Sequence, residues 1–243
     1  MADNLHSGHR ERLRARLLER GITKTTPHHE ILEFILFYSI PRKDTNELAH
    51  ALINRFGSLT GVFDAPEEEL MKIKGISKNT VTLLKLFIPI AKIYIDEKLN
   101  PPKDFRNIDE VGLYLLKKYI GYTNEVLTVI SLNANGKMLS YDIVAEGGLT
   151  EVSASKRQIA EIAIRNRAHC IVLCHNHPGA TAVPSAADLA LTTIVQESLL
   201  SVGIELLDHI ILSDDDYVSL FQSARYKDMF IRQPYTQHHS RYE

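Results

Sequence analysis

Residues 171–188 read IVLCHNHPGATAVPSAAD, and the rest of the chain is organised around them. The apolar run Ile171–Cys174 predicts a short buried strand. It ends in His175-Asn176-His177-Pro178, and Pro178, which has no N–H to donate, stops the ladder there. Side chains alternate across an extended backbone, so His175 and His177 share one face while Cys174 and Asn176 take the other. A loop rich in Gly, Ala and Pro follows. Ser185 then precedes a helical pattern in Leu189, Leu191, Ile194, Val195 and Leu199, which makes Ser185 the N-cap and Asp188 a first-turn carboxylate. Two imidazoles therefore leave a strand end, and a carboxylate returns on the next helix. That set suffices for catalytic zinc, because three protein ligands leave a fourth position for water, whose proton is lost near neutral pH when it is bound. A plainer reading of the same residues also stands: Ser185 and Asp188 form only a capping box, and the histidines are polar residues at a strand end.

Outward from this stretch, SKRQIAEIAIRNR (155–167) predicts a helix with Ile159, Ile162 and Ala163 inward. The β-branched run from Glu125 to Leu132 predicts a strand, Asn133-Ala134-Asn135-Gly136 a hairpin turn, and Lys137–Val144 the partner strand. Gly147-Gly148 turns the chain again, and 108–119 reads as the helix that opens this region. Downstream, Ile204–Leu212 predicts a last strand, with a helix around Tyr217–Tyr226 and a loosely held polar tail from Asp228. Pro101-Pro102, among polar residues in 98–107, mark a domain boundary. The expected fold class is α/β (α+β): a helical domain over 1–98, then a mixed β-sheet flanked by helices over 107–226, then a tail over 227–243.

The spacing His-x-His, seven residues, Ser, two residues, Asp resembles the signature of the JAMM (JAB/MPN) metalloprotease fold. HNHP followed by PSxxD, with Leu206-Leu207-Asp208-His209-Ile210-Ile211 downstream, looks like its bacterial RadC branch. The resemblance implies a zinc-dependent hydrolase acting on a peptide or isopeptide bond, with His175, His177 and Asp188 as Zn²⁺ ligands. It implies Ser185 as the hydrogen-bond donor to the oxyanion and Glu125, heading a strand upstream of the histidines, as the proton-transferring base. Glu146 and Glu151 are rival bases, and a solvated strand-start residue is the plain alternative for Glu125. Two departures stand out. Gly179 replaces the branch's usual Ser after Pro178, which alters the loop but not the ligand set. Lys156-Arg157-Gln158 replaces Pro-Arg-Glu. Cys174 is expected to be a buried strand cysteine facing away from the histidines. His209 is expected either to support the site from behind or to pair with Asp208.

Before the boundary the pattern is helical throughout. HHEILEFILFYSI (28–40) predicts a core helix whose first residues, His28 and His29, are exposed. Asp44 or Thr45 caps a helix over Asn46–Phe56 that Gly57 ends. Asp64 is expected to cap a short helix, and Lys74-Gly75-Ile76-Ser77 to turn into another that begins near Lys78. This resembles a helix-hairpin-helix DNA-binding motif, in which Lys74, Gly75, Ser77 and Lys78 would meet a phosphate. Ser77 stands where such motifs have a second Gly, and left-handed geometry would strain it. Residues 8–20, GHRERLRARLLER, read either as a phosphate-facing helix or as an ordinary solvated amphipathic face. A second reading of the whole follows: a DNA-associated protein, as the repair association of the RadC name implies, in which the JAB domain is mainly a scaffold.

Composition fits either reading. In 243 residues, hydrophobic residues make up 44% and charged residues 24%, enough to build a soluble core. A net charge of −2 gives no whole-chain attraction to nucleic acid or membrane. Two cysteines on one apolar run make no disulfide framework, and the polar N-terminus has no signal-like apolar segment, so a cytoplasmic location is expected. Leu83–Ile95 is interrupted by Lys85, Pro89 and Lys92 and is too short to span a bilayer.

Overall fold

The computed structural model describes residues 8–41, 43–147 and 152–231, and of 152–155 only the helical backbone. The chain divides into two compact units, Met1–Ile93 and Tyr94–Glu243.

The first unit is helical: α1 (His9–Arg20), α2 (His28–Ser39), α3 (Asn46–Phe56), α4 (Leu59–Asp64), α5 (Glu67–Met71) and the start of α6 (Lys78–Lys98). Leu32, Leu36, Leu52, Val62, Leu70 and Leu84 form its solvent-free core. Gly57 ends α3 at φ 80°, as its sequence position predicts. Two expectations are corrected here. Asp64 does not cap a helix; it is the last residue of α4, which Ser58 caps by accepting the Gly61 N–H at 2.9 Å. In the turn before α6 only Gly75 has a positive φ, 101°, so Ser77 carries no left-handed strain. Its hydroxyl instead accepts the Thr80 N–H at 3.3 Å and caps the helix start. Glu33 is a buried carboxylate held by His9 Nε2 at 2.8 Å and by Asn46 Nδ2 at 3.0 Å, which ties three helices together.

The second unit contains α7 (Ile108–Lys118), β1 (Val126–Leu132), β2 (Met138–Glu146), α8 (Val152–Arg165), β3 (Cys170–Asn176), α9 (Ala186–Leu200), β4 (Glu205–Leu212) and β5 (Tyr217–Ser219). The sheet order is β2-β1-β3-β4-β5. β1 is antiparallel to β2 and β3, β4 runs parallel to β3, and β5 is antiparallel to β4. The parallel pair needs a crossover, which α9 supplies. One face of the sheet packs Leu127, Val129, Ile171, Leu173 and Ile211 against Ile159 of α8 and Leu191, Val195 and Leu199 of α9. The other packs Ile130, Val172, Cys174, Ile210 and Leu212 against Val111 and Leu115 of α7 and against Phe105. Every residue of β3 is buried, as expected of a central strand covered on both faces. The Asn133–Gly136 turn forms as predicted, with Asn133 Oδ1 accepting from Asn135 N at 2.9 Å and Lys137 N at 3.1 Å.

The helix expected at Tyr217–Tyr226 is absent, and β5 occupies its start. The reason is Asp208, a fully buried carboxylate that accepts from Ser219 Oγ at 2.5 Å and Phe221 N at 2.9 Å and so holds the chain off a helical path. The described start of the tail, residues 228–231, is held against the second unit's core. Phe230 is buried, Gln196 Nε2 donates to the Met229 carbonyl at 2.7 Å, and Ile231 N donates to Gln196 Oε1 at 2.8 Å. Residues 232–243 lie outside the described residues, as do Gly148 and Glu151. No helix among the described residues is long and apolar enough to cross a membrane.

Candidate metal centre

β3 delivers His175 as its penultimate residue and His177 just beyond its end; α9 delivers Asp188 on its first turn. The three ligand atoms lie within 4.8 Å of one another. His175 Nε2 is 2.9 Å from His177 Nε2 and 3.0 Å from Asp188 Oδ1, and His177 Nε2 is 3.4 Å from Asp188 Oδ2. His175 and Asp188 are buried and His177 is partly open, so the group sits at the floor of a cleft. This is a group that can hold a metal ion.

The surrounding hydrogen bonds decide which nitrogens face the centre. His177 Nδ1 lies 3.1 Å from the Thr181 carbonyl, which only accepts, so Nδ1 carries the proton and Nε2 of the neutral ring a lone pair. Behind His175 runs a buried chain. Its Nδ1 is 2.9 Å from His209 Nε2; His209 Nδ1 is 2.7 Å from Thr192 Oγ1; Thr192 Oγ1 donates to the Asp188 carbonyl at 2.7 Å. That end of the chain only accepts. With Thr192 donating, its oxygen takes the His209 Nδ1–H, and His209 Nε2 then takes the His175 Nδ1–H. Burial pushes the His209 pKa well below the ordinary imidazole value, so the ring is neutral and has a single N–H to give. Both Nε2 lone pairs then point at the Asp188 carboxylate. Two bare nitrogens and an anion converging at this range are the donor set of a divalent cation, so the residues fit the ion that the sequence pattern implies.

Asp188 stays ionised. Burial would raise its pKa; with the His175 ring protonated, that ring's hydrogen bond and charge together with the Ser185 hydrogen bonds outweigh burial and hold the carboxyl well below the carboxylate range, and with the ring neutral the Ser185 hydrogen bonds are what favour the ionised form. Ser185 N donates to Asp188 Oδ2 at 2.7 Å and Asp188 N donates to Ser185 Oγ at 3.2 Å, a reciprocal capping box. The plain reading and the metal reading of this pair are therefore compatible, because the cap is what aims the carboxylate.

Glu125 immediately precedes β1, is exposed, and lines the same cleft as His177, Ser185 and Asp188. Glu146 ends β2 opposite Val126 and is not among the residues lining that cleft. Ser185 is exposed at the rim, with its hydroxyl proton left to donate outward. Cys174 is fully buried on the face opposite the histidines, where burial pushes its thiol pKa far up. The His209 ring contacts His175, the first of the two roles open to it, while the Asp208 carboxylate accepts from the His209 backbone N–H at 2.7 Å as well as from Ser219 and Phe221. His29 stacks on His50 with ring centroids 4.1 Å apart and is not a member of the His175, His177, Asp188 group. Lys74, Gly75, Ser77 and Lys78 all lie exposed around the α5–α6 turn in the helical unit.

Two participants escape a reading of motifs alone. Thr192 is one; Asp188, Thr192 and Gln196 form a buried polar stripe at i, i+4 and i+8 on an otherwise apolar helix face, which was the available signal. Asn176 is the other, buried between the two histidines and bonded to the backbone on either side of Glu125.

Known proteins resemble this chain over most of its length. The family model of the RadC-like JAB domain matches residues 105–226. UPF0758 protein FN0909 of Fusobacterium nucleatum is 35% identical over 232 residues, covering 92% of this chain and 99% of that protein. A UPF0758 protein of Carboxydothermus hydrogenoformans is 32% identical over 209 residues, and UPF0758 protein CPE2144 of Clostridium perfringens is 33% identical over 212; each alignment covers 86% of this chain and 92% of the relative. With its metal-competent triad seated in the part that matches, the chain belongs to the RadC family.

Proposed function

We propose that the protein is a zinc-dependent hydrolase of the JAMM class that cleaves a peptide or isopeptide amide. The observation that carries this reading is the convergence of two imidazole Nε2 atoms and an ionised carboxylate on a cleft that Glu125 and Ser185 also line. His175, His177 and Asp188 hold the ion. When bound, zinc supplies Lewis acidity, which lowers the pKa of a water and polarises a carbonyl. Glu125 takes the proton from the attacking water and returns it to the leaving nitrogen, so one carboxylate serves as base and then as acid. The Ser185 hydroxyl accepts the Asp188 N–H, which leaves its own proton to donate to the oxygen that becomes negative as the amide carbon turns tetrahedral. Burial of His175 and Asp188 keeps water from screening the Asp188 charge, while the exposed Glu125 and Ser185 lie where an extended substrate reaches them.

The test is metal content and turnover in one set of proteins. Wild type purified without a tag should carry stoichiometric zinc, and His177→Ala should not. Glu125→Gln should keep the zinc and lose hydrolysis by on the order of 10²–10⁴-fold against any peptide substrate found. Wild type that takes up no metal from a zinc solution would refute the reading.

A further inference from the structure

Asn176 is the last residue of β3 and stands between the two histidines. Pleat alternation turns its side chain away from both imidazoles. It is 5% exposed, and both ends of its carboxamide are engaged. Oδ1 accepts the Val126 N–H at 2.7 Å, and Nδ2 donates to the Asn124 carbonyl at 3.1 Å. Those two groups belong to the two peptide units that flank the Cα of Glu125. The β1–β3 ladder has Leu127 opposite His175 as its pair nearest the site. Beyond that pair the Asn176 side chain substitutes for a peptide group and carries the pairing past residue 125. From the other side, Gly147 N donates to the Glu125 carbonyl at 2.8 Å. The backbone of Glu125 is thus pinned on both sides, while its side chain is left in the cleft with His177, Ser185 and Asp188.

We infer that Asn176 is a positioning residue for Glu125, tying the proton-transfer carboxylate to the strand that carries the metal-binding histidines. The inference rests on the reading of Glu125 as the base. A short planar amide suits this place because it offers one donor and one acceptor side by side. Aspartate keeps the acceptor but sets an anion against the Asn124 carbonyl, and alanine loses both bonds. His-Asn-His therefore does two jobs on two faces: the flanking residues face the ion, and the middle residue fixes the distance from the ion to the base. A displacement of about 1 Å at such a group is enough to cost on the order of 10²-fold in rate.

The full-length protein loaded with cobalt(II) provides the test. Wild type, Glu125→Gln, Asn176→Leu and Asn176→Ala are compared for cobalt affinity and for the pH dependence of the visible spectrum. Glu125→Gln should move the spectral transition to lower pH, because it removes a negative charge that disfavours loss of a proton at the site. Both Asn176 variants, which add no charge, should move it the same way by letting the Glu125 carboxylate drift from the site, with cobalt affinity falling by less than the about tenfold that loss of a ligand's own hydrogen-bond partner costs. If alanine does not fold, leucine, which keeps the volume of the side chain, carries the comparison alone. A shift in Glu125→Gln but none in Asn176→Leu overturns the positioning role and leaves the base intact. No shift in Glu125→Gln overturns the base and this inference with it. A loss of cobalt affinity of about tenfold or more in Asn176→Leu also overturns it, because Asn176 would then be supporting the ligands.

Discussion

His175 turns one nitrogen to the metal-competent group and one to the protein, and what it meets on the protein side decides its tautomer. The Asp188 carbonyl, Thr192 hydroxyl and His209 ring form a chain that starts and ends on that group, since Asp188 supplies both its carboxylate and the terminal acceptor. Replacing Thr192 with valine keeps the volume and removes the hydroxyl that orients His209. Zinc affinity should fall by about 10–100-fold, the usual cost of losing such a partner. Thr192→Ser, which restores the hydroxyl, should recover most of it. Competition with a chromophoric chelator measures both, and equal affinities for Thr192→Val and wild type would show that His175 holds its tautomer without the chain.

At the level of elements, packing decides what local pattern does not. α4 is a six-residue helix that passes so close to the end of α3 that a Cβ on Gly61 would overlap the carbonyl oxygen of Phe56. Alanine at a helical position ordinarily gains up to about 1 kcal/mol over glycine. Here the obstruction is backbone, which cannot rotate aside, so Gly61→Ala should lose about 1–3 kcal/mol in urea unfolding. A stabilised variant would mean that α4 is free to move off α3. Sequence pattern alone does not announce α4, because six residues carry too little periodicity and Asp64 before Pro66 looks like a helix start. β5 failed for a related reason. Three residues recruited by a buried Asp208 on the neighbouring strand have no local signal that outweighs the pattern from Tyr217 to Tyr226. Where the signal is strong it was sufficient. The alternation that puts both histidines on one face and Cys174 on the other is a property of β3 alone and needs no partner to be read. Asn176 was placed on the correct face by the same rule, but its bonds to Asn124 and Val126 depend on strand pairing, which sequence spacing does not encode.

For the molecule as a whole, the question is how much chain the unit with the metal-competent group needs. Pattern alone confines the sheet domain to 107–226, yet residues on both sides of that range are part of its core. Phe105 is wholly buried and sets its ring edge-on to Tyr114 at 6.1 Å. Lys118 pairs with Asp96 at 2.9 Å, and Leu99 packs on the α7 side of the sheet. At the other end Phe230 meets Phe221 at 5.6 Å, and Gln196 clamps the backbone of Met229 and Ile231. Losing a buried phenylalanine costs about 3–5 kcal/mol, and a domain has only about 5–15 kcal/mol to lose. A fragment over 107–226 forfeits two such rings, so it should fail to give a cooperative melt. A fragment over 94–243 retains both rings and the Asp96 pair; it should melt cooperatively and bind zinc with the affinity of the full chain. Circular dichroism melts with zinc titration on the two fragments decide the matter. A stable, zinc-binding 107–226 would mean that Phe105 and Phe230 merely cover the core. Failure of 94–243 to fold would mean that this unit needs the chain before it.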